Sequence, residues 1–225
     1  MILTREEEKK IKTLQRKKGR DETGLCLVEG QKVIEAAGDY VEYTFDREDT
    51  VRFESLVTTK SPQDLAAVAR IPVFNDEDLL SKDVMLVLDG VQDPGNVGGI
   101  FRLCQAFGAS LLLVESADPA SPKVIRSSAG GLFHVPWMSM KRPEVSKFLY
   151  QASRRIYRLE KSDDFVDADS IDSDARIAIV VGSEGSGIQM DLHAPSLSIG
   201  HNESLESLNV GHAVAIAMYS IYRHR

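Results

Sequence analysis

Three stretches of the chain are almost continuously apolar: VMLVLD at 84–89, SLLLVE at 110–115 and RIAIVVG at 176–182. Such runs fit strands buried on both faces, and strands of that kind belong to parallel sheets covered by helices. The segments between them have helical spacing. NVGGIFRLCQAFG carries Ile100, Leu103, Cys104 and Phe107 on one stripe, and RPEVSKFLYQAS is a second helix. KVIRSSAGGLFHVPW reads as a helix, a glycine stop and a short strand ending at Pro136. RIYRLE and SLSIG are further strands, and SLNVGHAVAIAMYSIYRHR is a long final helix. Strands alternating with helices predict an α/β fold with a mostly parallel sheet, whose ligands sit beyond the carboxyl ends of the strands.

Upstream the pattern differs. Thr4 and Glu7 have capping-box spacing ahead of a helical run that ends near Gly19. GLCLVEG is a strand, QKVIEAA a short helix, and VEYTF and SLVTT further strands. Ser61 before Pro62 predicts the start of a helix through QDLAAVA. These elements predict a small α/β domain over residues 1–80, joined through the polar FNDEDLLSKD to a larger domain over 81–225.

The 225 residues are 43% hydrophobic and 27% charged, ordinary for a globular protein with a sizeable core. No apolar run approaches the ~20 residues of a membrane span, and the N-terminus lacks the apolar segment of a signal peptide. Cys26 and Cys104 lie in apolar patterns without a Cys-x-x-Cys neighbour, which suits buried thiols in a reducing cytoplasm. The histidines show no metal-ligand spacing, and His212 on the last helix reads as core or interface. The formal net charge of −7 excludes a purely electrostatic nucleic-acid binder. Even so, Arg5, Lys9, Lys10, Lys12, Arg16, Lys17, Lys18 and Arg20 crowd the first twenty residues. Such an arm can find phosphates, or be a solvated helix face balanced by Glu6, Glu7 and Glu8.

Three junctions after apolar strands carry unusual residues. In DGVQDPGNVGG, Asp93-Pro94-Gly95-Asn96 is a turn, and Arg102 follows on the next helix, either pairing with a carboxylate or gripping a ligand. In VVGSEGSGI, Gly182, Gly185 and Gly187 bracket Glu184 and permit close approach of a flat ligand or a plain tight turn. Neither Gly-x-Gly-x-x-Gly nor a P-loop is present, so a dinucleotide or nucleoside-triphosphate site is unsupported. In SIGHNESLESLNVG, Ser207 is placed to cap the last helix, while Asn209 is a mediocre helix former better employed holding a loop or substrate.

In this order, the motifs Asp-Pro-Gly-Asn-x-Gly-x-Ile-x-Arg, Gly-x-Glu-Gly-x-Gly and Glu-Ser-Leu-Asn-Val resemble those of the SpoU (TrmH-like) family of RNA ribose 2'-O-methyltransferases, of the SPOUT class. The resemblance spans roughly residues 84 to 223 and includes SSAGGLFHVP between the first two motifs. RKKGRDETGLCLVEGQKVI is similar to the opening of a small L30e-like substrate-binding domain. The resemblance implies a C-terminal trefoil knot, S-adenosylmethionine bound in the loops of that knot, tRNA or rRNA as substrate, and a homodimer whose active site is completed near the partner subunit. It places Asn96, Arg102, Glu184, Ser207 and Asn209 in catalysis. It places Gly182, Ser183, Glu184, Gly187, Ile199, His201 and Leu208 against the cofactor. Arg16, Lys17, Lys18, Arg20 and Arg126 would contact RNA. Arg102 would act either as a base or, since a guanidinium holds its proton, as a grip on phosphate and developing alkoxide. Gly200 stands where members carry proline, and Glu203 where they carry glycine. These departures leave open a knotted RNA-binding protein with weak or lost catalysis beside an active methyltransferase.

Overall fold

The computed structural model describes residues 2–61, 63–162, 164–171, 175–202, 204–205 and 207–223. In chain order the elements begin with α1 (Arg5–Leu14), α2 (Lys17–Thr23), β1 (Leu25–Glu29), α3 (Gln31–Ala37), β2 (Val41–Asp46), α4 (Phe53–Leu56) and β3 (Leu65–Arg70). There follow α5 (Asp76–Leu80), β4 (Val84–Asp89), α6 (Pro94–Phe107), β5 (Ser110–Val114), α7 (Pro122–Ser127), β6 (Trp137–Met140) and α8 (Arg142–Gln151). The chain closes with β7 (Arg155–Leu159), β8 (Phe165–Val166), β9 (Ile177–Gly182), β10 (Ser196–Leu197) and α9 (Val210–Tyr222). These elements form two compact units, residues 1–73 with 118–134, and residues 74–117 with 135–225.

The smaller unit is an antiparallel sheet in the order β1-β3-β2. Its central strand is the LAAVAR segment, where the sequence predicts a helix. Alanine is the best helix former in isolation, but Cys26 pairs with Ala69 and Phe45 with Ala66, and Ala66 to Ala69 are wholly buried. The small side chains let helices approach both faces of a strand that already has a partner on each edge. Pro62, taken as the helix start, lies outside the described residues. SLVTT is also not a strand: Phe53–Leu56 is a helical turn, and Thr58 and Thr59 turn inward onto a carboxylate. Thr4 and Glu7 form the expected capping box, but the helix breaks at Arg16 into α1 and α2. A Cβ on Gly19 would lie 2.3 Å from the Thr13 carbonyl oxygen, so glycine permits that break.

Residues 118–134 fold into this smaller unit, not into the larger one where the sequence reading placed them. Arg20, expected to contact RNA, is 4% exposed and buried among its own unit. Its guanidinium donates to the Leu14 carbonyl at 2.7 Å and pairs with Asp118. An arginine so placed anchors the 118–134 segment and presents no free charge to a phosphate.

The larger unit holds seven strands in the order β6-β5-β4-β9-β7-β10-β8, every pairing parallel. Met85, Val87, Leu112, Val114, Ala178 and Val180 share a buried cluster with Leu79 of α5 and with Val145 and Leu149 of α8. Leu79 thus makes the polar junction segment part of this core. Strand alternation sends Leu86, Leu88 and Ile179 to the opposite face, where α6 and α9 pack together. The chain order reverses between β4 and β9: β5 follows β4 on one side, while β9 arrives late on the other. In parallel sheets such a reversal opens a crevice beyond the strand ends.

Candidate functional site

The three unusual junctions meet at the carboxyl ends of the strands of the larger unit. After β4, Asp93 caps α6 by accepting from the Asn96 backbone N–H at 2.9 Å, and Pro94 takes the first helical position. The segment expected as a free turn is therefore the opening of the helix itself, and Asn96 stands on its first turn. After β9, the loop folds back so that Ser183 pairs with Gly187, whose φ is 63°. A Cβ on Gly182 would lie 2.1 Å from the Gly187 carbonyl carbon, so that fold requires glycine there. Before α9, Asn209 rather than Ser207 is the cap, its Oδ1 accepting from the N–H groups of Gly211 at 3.0 Å and His212 at 3.4 Å. This explains an asparagine that helix propensity could not.

The asparagine amides then join the loops. Asn209 Nδ2 donates to Glu184 Oε1 at 2.7 Å and lies 3.2 Å from Asn96 Oδ1. Asn96 Nδ2 donates to the same Glu184 oxygen at 3.2 Å. One carboxylate oxygen thus gathers side chains 88 and 25 residues away in the sequence. The other oxygen, Oε2, has no partner among the described residues.

A cleft of about 220 Å³ adjoins this cluster. Gly182, Ser183, Glu184 and Gly187 line it from the β9 loop, and Ile199, His201, Ser207 and Leu208 from the segment after β10. All seven residues expected against a cofactor are therefore on one wall system. Leu159, Val181 and Leu197 add apolar surface, and Glu160 and Lys161 add charge. Gly200 has open space where a Cβ would stand, so its departure from proline obstructs nothing. Glu203 lies outside the described residues.

Arg102 does not join the cluster. It is exposed on α6, about 9 Å along the helix from Asn96, and makes no hydrogen bond or ion pair with any described residue. In the smaller unit, Arg16, Lys17 and Lys18 are exposed, with Lys17 and Lys18 paired to Asp21 and Glu22. Lys9, Lys12, Arg16 and Lys18 line a shared groove. Arg126 is committed to Glu29 at 3.1 Å and to Thr58 at 2.7 Å. His212 is exposed at the start of α9. Cys26 and Cys104 are buried, and burial pushes the Cys26 thiol up to about 12 and Cys104 further still.

Asp89 is the residue that sequence reasoning missed. It ends β4 with no exposure at all. Its Oδ2 accepts from the N–H groups of Gln189 at 2.5 Å and Met190 at 2.8 Å, and its Oδ1 pairs with Arg142 at 2.9 Å. It therefore holds the far end of the glycine loop, whose near end is Gly182, its partner in the sheet register. The signal was present: a carboxylate closing a run of five apolar residues must find buried partners.

Residues 83–219 match the SpoU rRNA Methylase family. The chain is 28% identical to the 23S rRNA (guanosine(2553)-2'-O)-methyltransferase of Bacillus subtilis, over 93% of each protein. It is 34% identical to the 23S rRNA (adenosine(1067)-2'-O)-methyltransferase of Streptomyces laurentii, over 72% of this chain and 63% of that one. An AdoMet-bound rRNA methyltransferase from Sinorhizobium meliloti superposes with a TM-score of 0.86 at 25% identity, covering 99% of this chain and 96% of the other. A TrmH-family structure from Porphyromonas gingivalis also gives 0.86, at 27% identity and complete coverage of both chains.

Proposed function

This chain belongs to the SpoU rRNA Methylase family, and from that premise and the cleft we propose that it is an S-adenosylmethionine-dependent methyltransferase acting on a ribose 2'-hydroxyl of tRNA or rRNA. The observation that carries this reading is the double role of Glu184, which lines the cleft and gathers Asn96 and Asn209. The activities named for the Bacillus and Streptomyces relatives, and the AdoMet of the Sinorhizobium structure, support it.

The cleft suits that ligand on its own chemistry. Leu159, Val181, Leu197 and Leu208 offer apolar walls to a flat base. The Gly182–Gly187 loop brings main chain close, and Glu184 suits a ligand that carries positive charge. When bound, S-adenosylmethionine would supply an electrophilic methyl for the ribose 2'-oxygen, with the carbon–sulfur bonding pair passing to sulfur and the hydroxyl proton passing to water. Asn96 and Asn209 hold Glu184 in one orientation, leaving its free oxygen to the ligand. Ser207, on the cleft wall, offers a hydroxyl to the incoming ribose. Arg102 has no described partner to surrender, so its guanidinium is available to a phosphate beside the reacting ribose. It grips and stabilises charge without taking the proton. Arg102→Ala is expected to lower turnover about 10²–10³-fold while leaving cofactor affinity unchanged.

The proposal extends to a trefoil knot in the C-terminal half, in keeping with the late insertion of β9 between β4 and β7. It extends to a homodimer, supported by Ile216, Tyr219 and Tyr222 of α9, which are 45–59% exposed. It includes RNA contacts from Arg16, Lys17 and Lys18, and a cytoplasmic setting consistent with two free thiols. Pairing Ile216→Asp with Tyr219→Asp is expected to yield monomers by light scattering.

The deciding experiment supplies donor labelled in its methyl group with unmodified tRNA and rRNA, followed by alkaline hydrolysis. A 2'-O-methyl group removes the nucleophile that cleaves the adjacent phosphodiester, so label is expected in an alkali-resistant dinucleotide. Absence of both label transfer and cofactor binding would overturn the reading.

A further inference from the structure

His201 holds an acceptor in the cleft for which the described residues provide no donor. Its Nδ1 lies 2.8 Å from the Ile199 carbonyl oxygen. A carbonyl oxygen only accepts, so Nδ1 must carry the proton. The neutral ring then leaves Nε2 with a bare lone pair. Nε2 is buried and meets no hydrogen-bond partner among the described residues. Buried polar atoms are seldom left unpaired, because the lost hydration is not recovered. The ring lines the cleft next to the Ile199 carbonyl, and Leu159, Val181, Leu197 and Leu208 are among the cleft's apolar lining.

We propose that His201 reads the base of the bound cofactor by accepting, at Nε2, a hydrogen bond from the exocyclic amine of adenine. This rests on the reading of the cleft as an S-adenosylmethionine site. The ligand has other donors, and the surroundings sort them. Its cationic ammonium belongs near Glu184, whose Oε2 has no described partner. Its ribose hydroxyls can donate or accept and so do not depend on a one-way acceptor. The exocyclic amine of a flat base only donates, and it suits an acceptor set among apolar walls.

The orientation is a selection device. The Ile199 carbonyl fixes the tautomer, and the tautomer decides that an amine is welcome and a carbonyl is not. Inosine, which carries an oxygen in place of the amine, would set two acceptors against each other. Glu160, Lys161 and Glu184 are the other charged side chains facing the cleft. They are common to the variants compared below, so a difference between those proteins isolates His201.

The test is calorimetric titration of the full chain with S-adenosylhomocysteine and with S-inosylhomocysteine. Both probes lack the methyl, so binding is read without turnover. The unmodified protein is expected to prefer the adenine compound by about tenfold or more, the equivalent of one hydrogen bond. His201→Phe should bind both compounds alike, and His201→Gln, whose amide oxygen can accept, should retain part of the preference. Thermal unfolding of each variant confirms that it is folded. Binding of both compounds with equal affinity by the unmodified protein would overturn the role of His201 and leave the cofactor site standing. Binding of neither would overturn the cofactor reading itself and this inference with it.

Discussion

Each compact unit ends a strand on a buried carboxylate, and the two carboxylates do the same mechanical work with different consequences. Glu29 closes β1 of the smaller unit at 7% exposure, and Asp89 closes β4 of the larger at 0%. Glu29 accepts from the Thr58 N–H at 2.9 Å and the Thr59 N–H at 3.2 Å, from both threonine hydroxyls, and from Arg126. Asp89 accepts from the N–H groups of Gln189 and Met190 and from Arg142. In both, a strand-end carboxylate tethers a distant loop by its backbone, and an arginine from later in the chain neutralises it. The loop tethered by Glu29 completes the small core. The loop tethered by Asp89 carries the glycines and Glu184 of the cleft. The same device therefore serves stability in one unit, and stability together with site geometry in the other.

Substitutions can break this comparison. Asp89→Ala should have the largest effect, because it strands two backbone N–H groups and leaves Arg142 with Glu115 as its remaining carboxylate. A loss of about 3 kcal/mol is expected in urea unfolding, with cofactor affinity lost alongside. Glu29→Ala should cost about 2 kcal/mol, since the threonine hydroxyls can turn to other partners, and it should leave cofactor affinity unchanged by calorimetry. If both variants weakened cofactor binding equally, the distinction between the two clamps would fail. Asn209→Ala should cost about 1 kcal/mol as a lost helix cap. Its methyl-transfer rate should fall further than that figure implies, because Glu184 loses its shorter amide contact.

The smallest expected effect concerns the Cys26 thiol beneath the smaller unit's sheet. Burial raises it from 9.0 to about 12. The unfolded chain therefore releases this proton first, so the contribution is complete below about pH 9 and is lost as pH rises toward 12. Urea midpoints should decline over that range, and less steeply in Cys26→Ala.

Much of the larger unit was legible because its signals are local. VMLVLD, SLLLV and IAIVVG are apolar over nearly their whole length, and only a doubly covered strand satisfies such runs. The three motif loops were legible for a related reason: turn formers and glycines at strand ends advertise backbone that must bend around something. The smaller unit misled at LAAVAR, where alanine's own preference opposes what its neighbours impose. Ser207 and Asn209 are both good caps, and no local rule ranks them. The choice fell to Asn209, whose amide also reaches Glu184 and Asn96.

By itself, then, the sequence determined the parallel architecture of the larger unit and the position of its loops, because burial pattern and turn chemistry act within a few residues; the residues that line the cleft were expected from the family resemblance. Only the tertiary structure decided that residues 118–134 fold with the first unit, that Arg20 is an anchor, that Arg102 has no ion-pair partner among the described residues, and that Asp89 holds the glycine loop. Each of those outcomes turns on which charged group finds a buried partner far away in the chain. An arginine or aspartate has the same letter whether it meets water, a phosphate or a carboxylate, and only the folded geometry supplies the partner.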